Sequence, residues 1–446
     1  MSAQALSGAR EAAYAALMAC ETQGAWSDQA IRSTSKKWKL APRDAALAAR
    51  LCYGVVQNRL LLDFWIDSFS STPARKLDGP VRQSLRLGLY QLQFLDRVPD
   101  RAAVHESVEL VRKYVRNKGA AGLTNAVLRA AQRAEHMPVP MSKDRLETLS
   151  LQYSHPLPLV KLLSQELGAD VEPLLALNNT PADMVLQINP LKAIPEELLE
   201  ELTQAGAQVE PHPWLEGCLL VKGSGDLEQL PAFQAGKCYV QDAGARLCAL
   251  AANPKPGYKV LDACAAPGGK SFAMALAMGD QGDILARDLH ENKLRRIQSG
   301  AKRLGLQSIH TAPADGRDFQ PELAETFDLV VADVPCSGLG IIRKKPDIRY
   351  KELKETEGLP RIQSALLANL SRYVRPGGAL VYSTCTVLRR ENQDVVAAFL
   401  AGHPEFHLEP FQLPGPAGET PGEITLWPQI HGTDGFFIAK LRRSNG

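Results

Sequence analysis

Residues 258–276 read YKVLDACAAPGGKSFAMAL, and this stretch decides the fold of the second half of the chain. An apolar run typical of a buried strand ends at Cys264, two glycines follow, and a helix is predicted from about residue 269. The alternation continues, with strands predicted at 283–288, 308–315, 327–334, 379–385 and 434–441 and helices at 291–304, about 357–373 and 390–402. Strands that alternate with helices in this way predict a doubly wound parallel sheet.

The chain before this region divides into two further segments. Residues 1–140 read as helical, because apolar residues recur at helical spacing, as at Leu85, Leu89 and Leu92. A later mixed region has strands predicted at 184–190 and 218–223 and a helix at 194–206. The predicted fold class is therefore multidomain, with an all-α domain (1–140), a linker and small α+β module (141–235) and a C-terminal α/β domain (236–446).

The composition is that of a globular protein of two or three domains, with 446 residues, 45% hydrophobic and 22% charged. No run of about 18 apolar residues predicts a membrane span. The N-terminal residues lack the basic start and apolar run of a signal peptide. We therefore expect a cytoplasmic protein. The eight cysteines form no C-x-x-C pair and no cluster with zinc-ligand spacing, so we expect reduced thiols and no metal site.

The small net charge conceals an uneven distribution. Residues 1–150 carry 22 Lys and Arg against 14 Asp and Glu, whereas residues 151–250 carry 5 against 13. A basic first third is compatible with a polyanionic partner. An Arg-rich but otherwise ordinary helical surface explains the charge equally well.

The turn after the first α/β strand runs from Asp262 to Lys270 and is built from small residues. Its two glycines let the backbone approach a ligand closely. The end of the turn matches the end of a phosphate-binding P-loop, but Cys264 stands where that motif needs its first glycine. The G-x-G-x-x-G pattern of dinucleotide sites is absent. We therefore expect a ligand other than a nucleoside triphosphate or NAD, with a simple tight turn as the alternative.

Acidic residues stand at the ends of the next three predicted strands, at Asp288, Asp315 and Asp333. An acid at such a position commonly binds a ribose hydroxyl pair. Each one alone fits a loop-capping role as well. Together with the glycine turn, the three acids favour an adenosine-like ligand at the carboxyl edge of the sheet.

Two cysteines follow two of these strands, Cys336 in ADVPCSG (332–338) and Cys385 in STCT (383–386). Both strand ends lie at the same edge of a parallel sheet, so we expect the two thiols and Asp333 to share one cleft. A thiolate there would be a candidate nucleophile. The residues alone do not choose between the two thiols, and burial as packing residues is the alternative for each.

At these motifs the chain resembles the RNA 5-methylcytosine methyltransferases. The resemblance rests on CAAPGGK (264–270), ADVPCSGLGIIRKKPDI (332–348), GGALVYSTCT (377–386), EN (391–392), DGFFIAKL (434–441) and YVQDAGA (239–245). It implies a class I (Rossmann-like) methyltransferase domain with S-adenosyl-L-methionine as cofactor. The residues that it implies for cofactor binding are Cys264, Ala265, Ala266, Pro267, Gly268, Gly269, Lys270, Asp288, Asp315 and Asp333.

The same resemblance assigns roles to the two thiols. It implies Cys385 as the nucleophile and Cys336 as the residue that promotes product release. Addition of a thiolate to C6 of cytosine makes C5 nucleophilic, which divides one difficult methylation into easier steps. Asp333 would hold or protonate the ring at N3.

The first third resembles the helical domain of the antitermination factor NusB, in residues 43–66, 86–114 and 122–129. That domain joined to this catalytic domain is similar to the bacterial 16S ribosomal RNA methyltransferase B family (Fmu or Sun type). The resemblance implies unassembled or early-assembly 16S ribosomal RNA as the partner, and we expect a monomer. The alternatives are the same chemistry on transfer RNA and a non-catalytic RNA-binding assembly factor.

Two basic clusters are candidates for holding RNA phosphates. The first follows the Pro-Cys motif and comprises Arg343, Lys344, Lys345 and Arg349. The second lies in the helical domain and comprises Arg112, Lys113, Arg116 and Lys118. A solvated charged surface is the alternative for each cluster.

Overall fold

The apolar stripes of the first third become buried helix faces in the computed structural model of the protein. The structure describes residues 8–222 and 227–445. Residues 1–7, which begin the segment considered for a signal peptide, and Gly223, the last residue of one predicted strand, lie outside the described residues. The chain forms two compact units, Met1–Thr180 with Lys344–Lys351, and Pro181–Arg343 with Glu352–Gly446. The three-part division at residues 140 and 235 stays a prediction.

The first unit is all-α in its described residues, as the sequence predicts. Leu85 and Leu89 of one helix and Val104 and Val111 of the next are buried in one apolar core. Its helices are α1 (Gly8–Gln23), α2 (Ser27–Lys37), α3 (Pro42–Gln57), α4 (Arg59–Phe69), α5 (Gly79–Phe94), α6 (Asp100–Tyr114), α7 (Lys118–Arg133), α8 (Arg145–Gln152), α9 (Leu157–Leu167) and α10 (Val171–Leu177).

The second unit begins with a small α+β module, which confirms that prediction. Its four-stranded sheet has the order β2-β3-β1-β4, and the pairs β1–β3, β1–β4 and β2–β3 are antiparallel. Leu186 and Leu219 face each other in the register and are both buried. The elements are β1 (Met184–Ile188), α11 (Pro195–Gln204), β2 (Gln208–Pro211), β3 (Cys218–Lys222), α12 (Pro231–Gln234) and β4 (Cys238–Val240).

The larger sheet of the second unit contains the predicted α/β series. Its elements are α13 (Ala243–Ala252), β5 (Lys259–Asp262), α14 (Gly269–Ala277), β6 (Asp283–Asp288), α15 (Glu291–Leu304), β7 (Ile309–Pro313), β8 (Phe327–Asp333), α16 (Leu359–Ser371), β9 (Val374–Thr384), α17 (Gln393–Gly402), β10 (Phe406–Leu408), β11 (Phe411–Leu413), β12 (Gly418–Thr420), β13 (Glu423–Leu426), α18 (Pro428–His431) and β14 (Phe436–Arg443).

Strand order places the reversal of this sheet between β5 and β8. The order is β10-β14-β9-β8-β5-β6-β7, with β13 beside β14, while β11 and β12 form a separate pair. Strands β5 to β9 run parallel, and β14 is antiparallel to β9, so the sheet is mixed at one side. In a doubly wound sheet, ligands bind where the order reverses, outside the carboxyl ends of the strands.

Alternating residues of the central strands fill two separate apolar layers. Val260 and Val331 pack with Leu247 in one layer, whereas Leu261 and Val330 pack with helix α16 in the other. Successive strand residues point to opposite faces, so a strand with both faces covered is apolar throughout. No described helix is both long and apolar enough to cross a membrane.

Candidate active site

The carboxyl ends of four adjacent parallel strands carry the candidate site. Asp262 ends β5, Asp288 ends β6, Asp333 ends β8 and Thr384 ends β9. Parallel pairing aligns these ends, because Asp262 lies opposite Val331 and Asp333 lies opposite Ser383 in the registers. The sheet therefore brings together side chains that are far apart in the sequence.

The glycine turn after β5 is shaped by backbone constraints. Gly268 has φ +110, a conformation that L side chains rarely adopt, and its N–H donates to the carbonyl of Ala265 at 2.7 Å. A Cβ on Gly268 would lie 2.6 Å from the ring of Phe272. Ala265 N–H donates to the carbonyl of Arg287 in the neighbouring strand at 2.7 Å. Glycine is thus required by both the backbone angle and the space, and helix α14 starts directly after it.

A cavity of about 250 Å³ lies against this turn. Two buried polar atoms in its lining residues have no hydrogen-bond partner, Asp262 Oδ1 and Gln241 Nε2. The residues around the cavity are Val240, Gln241, Asp242, Ala245, Asp262, Cys264, Ala265, Ala266, Pro267, Gly269, Lys270 and Asp333. Unpaired buried donors and acceptors are costly unless a ligand or water satisfies them, so this cavity fits a polar ligand.

Asp262 is the most deeply buried acid of the site. Its Oδ2 accepts a hydrogen bond from Ser271 Oγ at 2.6 Å. Burial raises the pKa of Asp262 to about 6, against the lowering effects of Ser271 and Lys270. Asp262 therefore keeps its proton to a higher pH than an exposed aspartic acid does.

The other two acids predicted for the cofactor do not line the 250 Å³ cavity. Asp288 Oδ1 accepts from the N–H of His290 at 3.0 Å. Asp315 is held by Arg317 through its Nε at 2.9 Å and a terminal nitrogen at 2.5 Å, which lowers the pKa of Asp315 to about 2. Burial first, and then the charges of Asp333, Asp262, Asp288 and Asp315, raise the pKa of the Cys264 thiol.

Lys270 and Asp333 form a partly buried ion pair beside the cavity. Lys270 Nζ donates to Asp333 Oδ2 at 2.6 Å, and Ser383 Oγ donates to Asp333 Oδ1 at 2.8 Å. Burial alone would lower the pKa of Lys270, but Asp333 outweighs it and raises the pKa above the usual range. Asp333 is thus oriented by two donors from two different elements.

The two cysteine thiols meet next to this pair, as the sequence predicts. The Sγ atoms of Cys336 and Cys385 lie 3.2 Å apart. The hydrogen bond with Cys336 lowers the pKa of Cys385, burial and the charge of Asp333 oppose this, and Lys270 lowers it to a smaller extent. The same hydrogen bond and burial raise the pKa of Cys336. The two thiols therefore form one coupled pair in which either sulfur can act as the donor.

A buried polar brace holds the two cysteine loops together. Glu391 Oε2 accepts from Ser337 N–H and from Gln363 Nε2, both at 2.9 Å, and Gln363 also donates to Pro335 O at 3.0 Å. The hydroxyls of Ser337 and Thr386 lie 2.8 Å apart. The residues that directly follow the two cysteines, Ser337 and Thr386, are thus tied to each other, and Ser337 is also tied to Glu391.

Asn392 completes this brace on the Cys385 side. Its Oδ1 accepts from Thr384 Oγ1 at 2.6 Å, and its Nδ2 donates to Thr386 O at 3.0 Å. Asn392 and Glu391 are fully buried. The two residues fix the backbone on both sides of Cys385.

Sequence reasoning did not select several residues of this site. The sequence pattern places Asp262 at the start of the turn and Gln241 in the segment 239–245, but it predicts no role for either residue. An acid at the end of a buried strand was the available signal for Asp262. No local signal marks Ser383 or Gln363, because their partners come from other elements.

Two arginines of the predicted phosphate-binding clusters are structural, which corrects that expectation. Arg349 is fully buried, and its guanidinium donates to the carbonyls of Gln57 and Ser154 and to Asn179 Oδ1. Arg343 donates to the carbonyl of Pro181 at 2.5 Å and leaves little of its side chain exposed. Arg349 therefore exposes no donor to a phosphate, and one terminal nitrogen of Arg343 is engaged by protein oxygens.

In the second basic cluster, that of the helical domain, two of the four residues form ion pairs. Arg112 pairs with Glu109 and Lys113 with Glu11. Arg116 and Lys118 make no hydrogen bond or ion pair with any described side chain, and they line an open depression with Tyr114. Of the eight predicted phosphate-binding residues, Arg116, Lys118 and the exposed Lys345 are those that form no hydrogen bond or ion pair with a described side chain.

Three family models match successive parts of the chain. The model described as NusB family matches residues 7–133. A model of the ferredoxin-like domain of RsmF/B-like methyltransferases matches residues 155–228. The model described as 16S rRNA methyltransferase RsmB/F matches residues 249–442. The matches confirm the predicted fold class, from the NusB-like domain to the methyltransferase domain.

Full-length relatives share the same arrangement. The probable ribosomal RNA small subunit methyltransferase B of Bacillus subtilis is 37% identical over 97% of this chain and 98% of its own length. The protein of the same name from Synechocystis is 37% identical over 98% and 99%. The crystal structure of PH0851 superimposes with a TM-score of 0.81 at 27% identity and covers 99% of each chain. The chain belongs to the 16S rRNA methyltransferase RsmB/F family.

Proposed function

We propose that the protein transfers a methyl group from S-adenosyl-L-methionine to C5 of a cytosine in 16S ribosomal RNA, through a covalent bond between Cys385 and C6. Membership of the family supports ribosomal RNA methylation. The observation that carries the finer chemistry is the thiol pair, 3.2 Å apart, beside the Lys270–Asp333 ion pair. A cytoplasmic monomer that acts on unassembled or early-assembly RNA belongs to the same proposal.

The turn and the acids around it suit the cofactor. Its residues from Cys264 to Lys270, with Asp288, Asp315 and Asp333, would hold it, and the unpaired Asp262 Oδ1 and Gln241 Nε2 offer further polar contacts. The carboxylates around Cys264 suit a ligand with a positive charge. When bound, S-adenosyl-L-methionine supplies an electrophilic methyl group on a sulfonium.

The Cys385 thiolate starts the reaction in this proposal. Its sulfur forms a bond to C6, and the electron pair of the C5=C6 bond moves towards C5 and the ring nitrogen N3. Asp333, after taking up a proton from solvent, donates a hydrogen bond or that proton to the ring at N3, where charge develops. Lys270 and Ser383 hold the Asp333 carboxylate in place for this role.

Release of the product breaks the bond between Cys385 and C6 that forms in the first step. A base takes the proton from the methylated C5, the C5=C6 double bond re-forms, and the C6–Sγ bond breaks with its electron pair returning to Cys385. The Cys336 thiol, whose pKa is raised, is placed to donate a hydrogen bond to that sulfur as its charge returns. Cys336 therefore assists release and is not the nucleophile.

Bisulfite sequencing of ribosomal RNA from cells that lack the protein tests this proposal. Wild-type protein should restore one unconverted cytosine in 16S RNA, and Cys385→Ala should not. Cys238→Ala, which removes a different buried thiol, is the control and should restore it. Full modification with Cys385→Ala would contradict the nucleophile, and a dependent cytosine found only in transfer RNA would contradict the substrate.

Trapping of the protein–RNA adduct separates the roles of the thiols. Cys336→Ala should accumulate a covalent complex that survives denaturing electrophoresis, whereas Cys385→Ala should form none. The reverse pattern would exchange the two roles. Absence of both an adduct and a dependent cytosine would leave a non-catalytic assembly factor.

A further inference from the structure

The first unit contains a second cavity, of about 650 Å³, that the catalytic chemistry does not use. All of its lining residues belong to that unit. They come from helices α1, α3, α4 and α5, from the connection between α1 and α2 that contains Trp26, from the short turn that contains Arg75, and from the inserted segment 344–351. A volume of this size falls within the range of small-molecule and cofactor sites. The cavity is therefore large enough to hold a nucleotide.

The charges on the cavity wall are unbalanced. Five cations line it against the three carboxylates of Glu21, Asp63 and Asp347. Each of these carboxylates already has a partner. Glu21 pairs with Arg82, and Asp63 accepts two hydrogen bonds from the Arg86 guanidinium. Asp347 accepts from the N–H and the hydroxyl of Ser27. The remaining cations are Arg59, Arg75 and Lys351, and none of them hydrogen-bonds to a described carboxylate.

Arg59 is held in place without using its donors. Its guanidinium carbon lies 3.5 Å from the centre of the Tyr350 ring, and Tyr350 OH is anchored by donation to Val56 O at 2.9 Å. Arg59 is half-buried, and burial lowers the pKa of its guanidinium. In the stacked pair with Tyr350, Arg59 remains the positively charged member. A stacked arginine with free N–H groups is a common element of phosphate and base recognition.

An aromatic side chain stands near the third free cation. Trp26 is half-buried, and Lys351 Nζ lies 5.1 Å from its ring centre. The Asp347 contacts to Ser27 fix the chain directly after Trp26. An indole face beside free cations matches the way in which proteins hold an unstacked base together with its phosphate.

We propose that this cavity binds one nucleotide of a single-stranded stretch of the RNA substrate, with the phosphate on Arg59, Arg75 and Lys351 and the base against Trp26. The inference rests on the proposed function for the identity of the polyanion as ribosomal RNA. The shared chemistry, an aromatic base with a phosphate, is also that of a free nucleotide. An acidic peptide would use the cations but not the indole.

Binding of a short fluorescein-labelled single-stranded RNA to the full chain tests the site, with no methyl donor present. Arg59→Gln should weaken binding about tenfold, the lower part of the range for losing one stacked or phosphate contact. It should also reduce the salt dependence by about one counterion. Arg101→Gln, an exposed arginine of helix α6 outside the cavity, is the matched control and should bind as the wild type does.

Photo-crosslinking with 4-thiouridine RNA locates the contact. The crosslink should fall on the peptide of residues 11–32, which contains Trp26, and should fade with Trp26→Ala but persist with Trp26→Phe. Thermal unfolding midpoints equal to wild type show that the variants fold. Unchanged affinity of Arg59→Gln at every salt concentration would overturn the site.

Competition identifies the occupant and separates this inference from the catalytic one. Unlabelled RNA should displace the probe, while adenosine monophosphate or hexaglutamate at the same concentration should not. Displacement by either of those alone would overturn the assignment to RNA. Wild-type RNA binding without methyl transfer would contradict only the proposed function, whereas full methylation and binding by Arg59→Gln would contradict only the cavity.

Discussion

Cys336 and Cys385 are separated by 49 residues in the chain, yet their sulfurs lie 3.2 Å apart. Parallel pairing of β8 and β9 produces this contact, because each cysteine follows the carboxyl end of one of these adjacent strands. The hydrogen bond between the two thiols lowers the pKa of Cys385 and raises that of Cys336. The thiol pair is therefore a polarised unit and not two independent nucleophiles.

The polarisation predicts reciprocal changes in thiol reactivity. Cys336→Ala removes the hydrogen bond that lowers the pKa of Cys385, so that pKa should rise and less thiolate should be present at pH 7. Cys385→Ala should lower the pKa of Cys336, because it removes the hydrogen bond with Cys385, which is the largest of the effects that raise this pKa. Iodoacetamide alkylation rates against pH, read by mass spectrometry of each peptide, measure both shifts. Cys264 should react slowly in both variants, and equal profiles for Cys385 in wild type and Cys336→Ala would contradict the polarisation.

The glycine turn offers a matched pair of substitutions. Gly268→Ala adds a Cβ 2.6 Å from Phe272 at φ +110, whereas Gly279→Ala meets nothing within 4 Å at φ +62. Both variants carry the backbone cost of about 1 kcal/mol for a left-handed L residue. Gly268→Ala should lose a further 1–3 kcal/mol, roughly the cost of overpacking, and should bind S-adenosyl-L-methionine weakly by calorimetry. Equal unfolding free energies for the two variants would show that the turn relaxes freely.

Asp262 should make the stability depend on pH in an unusual direction. Burial raises its pKa to about 6 from the ordinary value of 3.8. Between these values the unfolded chain loses its proton before the folded chain does, so the contribution of Asp262 to stability is present at low pH and is lost as pH rises towards 6. Asp262→Asn cannot ionise, so its stability relative to wild type should rise across that window.

The magnitude of that change follows from the size of the shift. About two pKa units correspond to about 3 kcal/mol, and partial solvation would reduce this figure. Urea unfolding of both proteins from pH 4 to pH 7 measures it. A stability difference that stays constant over that range would show that Asp262 ionises as easily in the folded protein as in the unfolded one.

The Glu391 brace should affect the rate of catalysis by holding the two cysteine loops in position. Glu391→Ala leaves the buried Ser337 N–H without its acceptor and removes one of the two acceptors of the Gln363 amide, which should cost about 1–3 kcal/mol of stability. The turnover number should fall with little change in KM for RNA, since Glu391 contacts the cysteine loops. Glu391→Gln retains an acceptor oxygen and should recover part of the rate.

Glu405→Ala supplies the comparison for this brace, because Glu405 is exposed on the same unit. It should leave both stability and turnover at wild-type values. A loss of stability in Glu391→Ala with unchanged turnover would mean that the brace supports the fold alone.

Local pattern was sufficient for the architecture of this protein. Helical periodicity in the first third predicted the all-α unit, and the strand and helix alternation after residue 258 predicted the sheet and the edge at which the site lies. The mixed character of the sheet was not evident, because an antiparallel strand such as β14 reads like any other apolar strand. Likewise, charge alone suggested Arg349 for RNA, and only its partners showed that it is a buried structural residue.

The sequence by itself determined the residue types, the strand ends on which Asp333, Cys336 and Cys385 stand, and the glycine that the turn after β5 requires. These follow from neighbours in the chain, through backbone angles and apolar spacing. Only the tertiary structure decided that the two thiols meet, which carboxylate is left buried and incompletely paired, and which arginines are buried among structural partners. Those properties depend on burial and on partners from distant segments, since the pKa of a thiol or an acid is set by the groups that folding places around it.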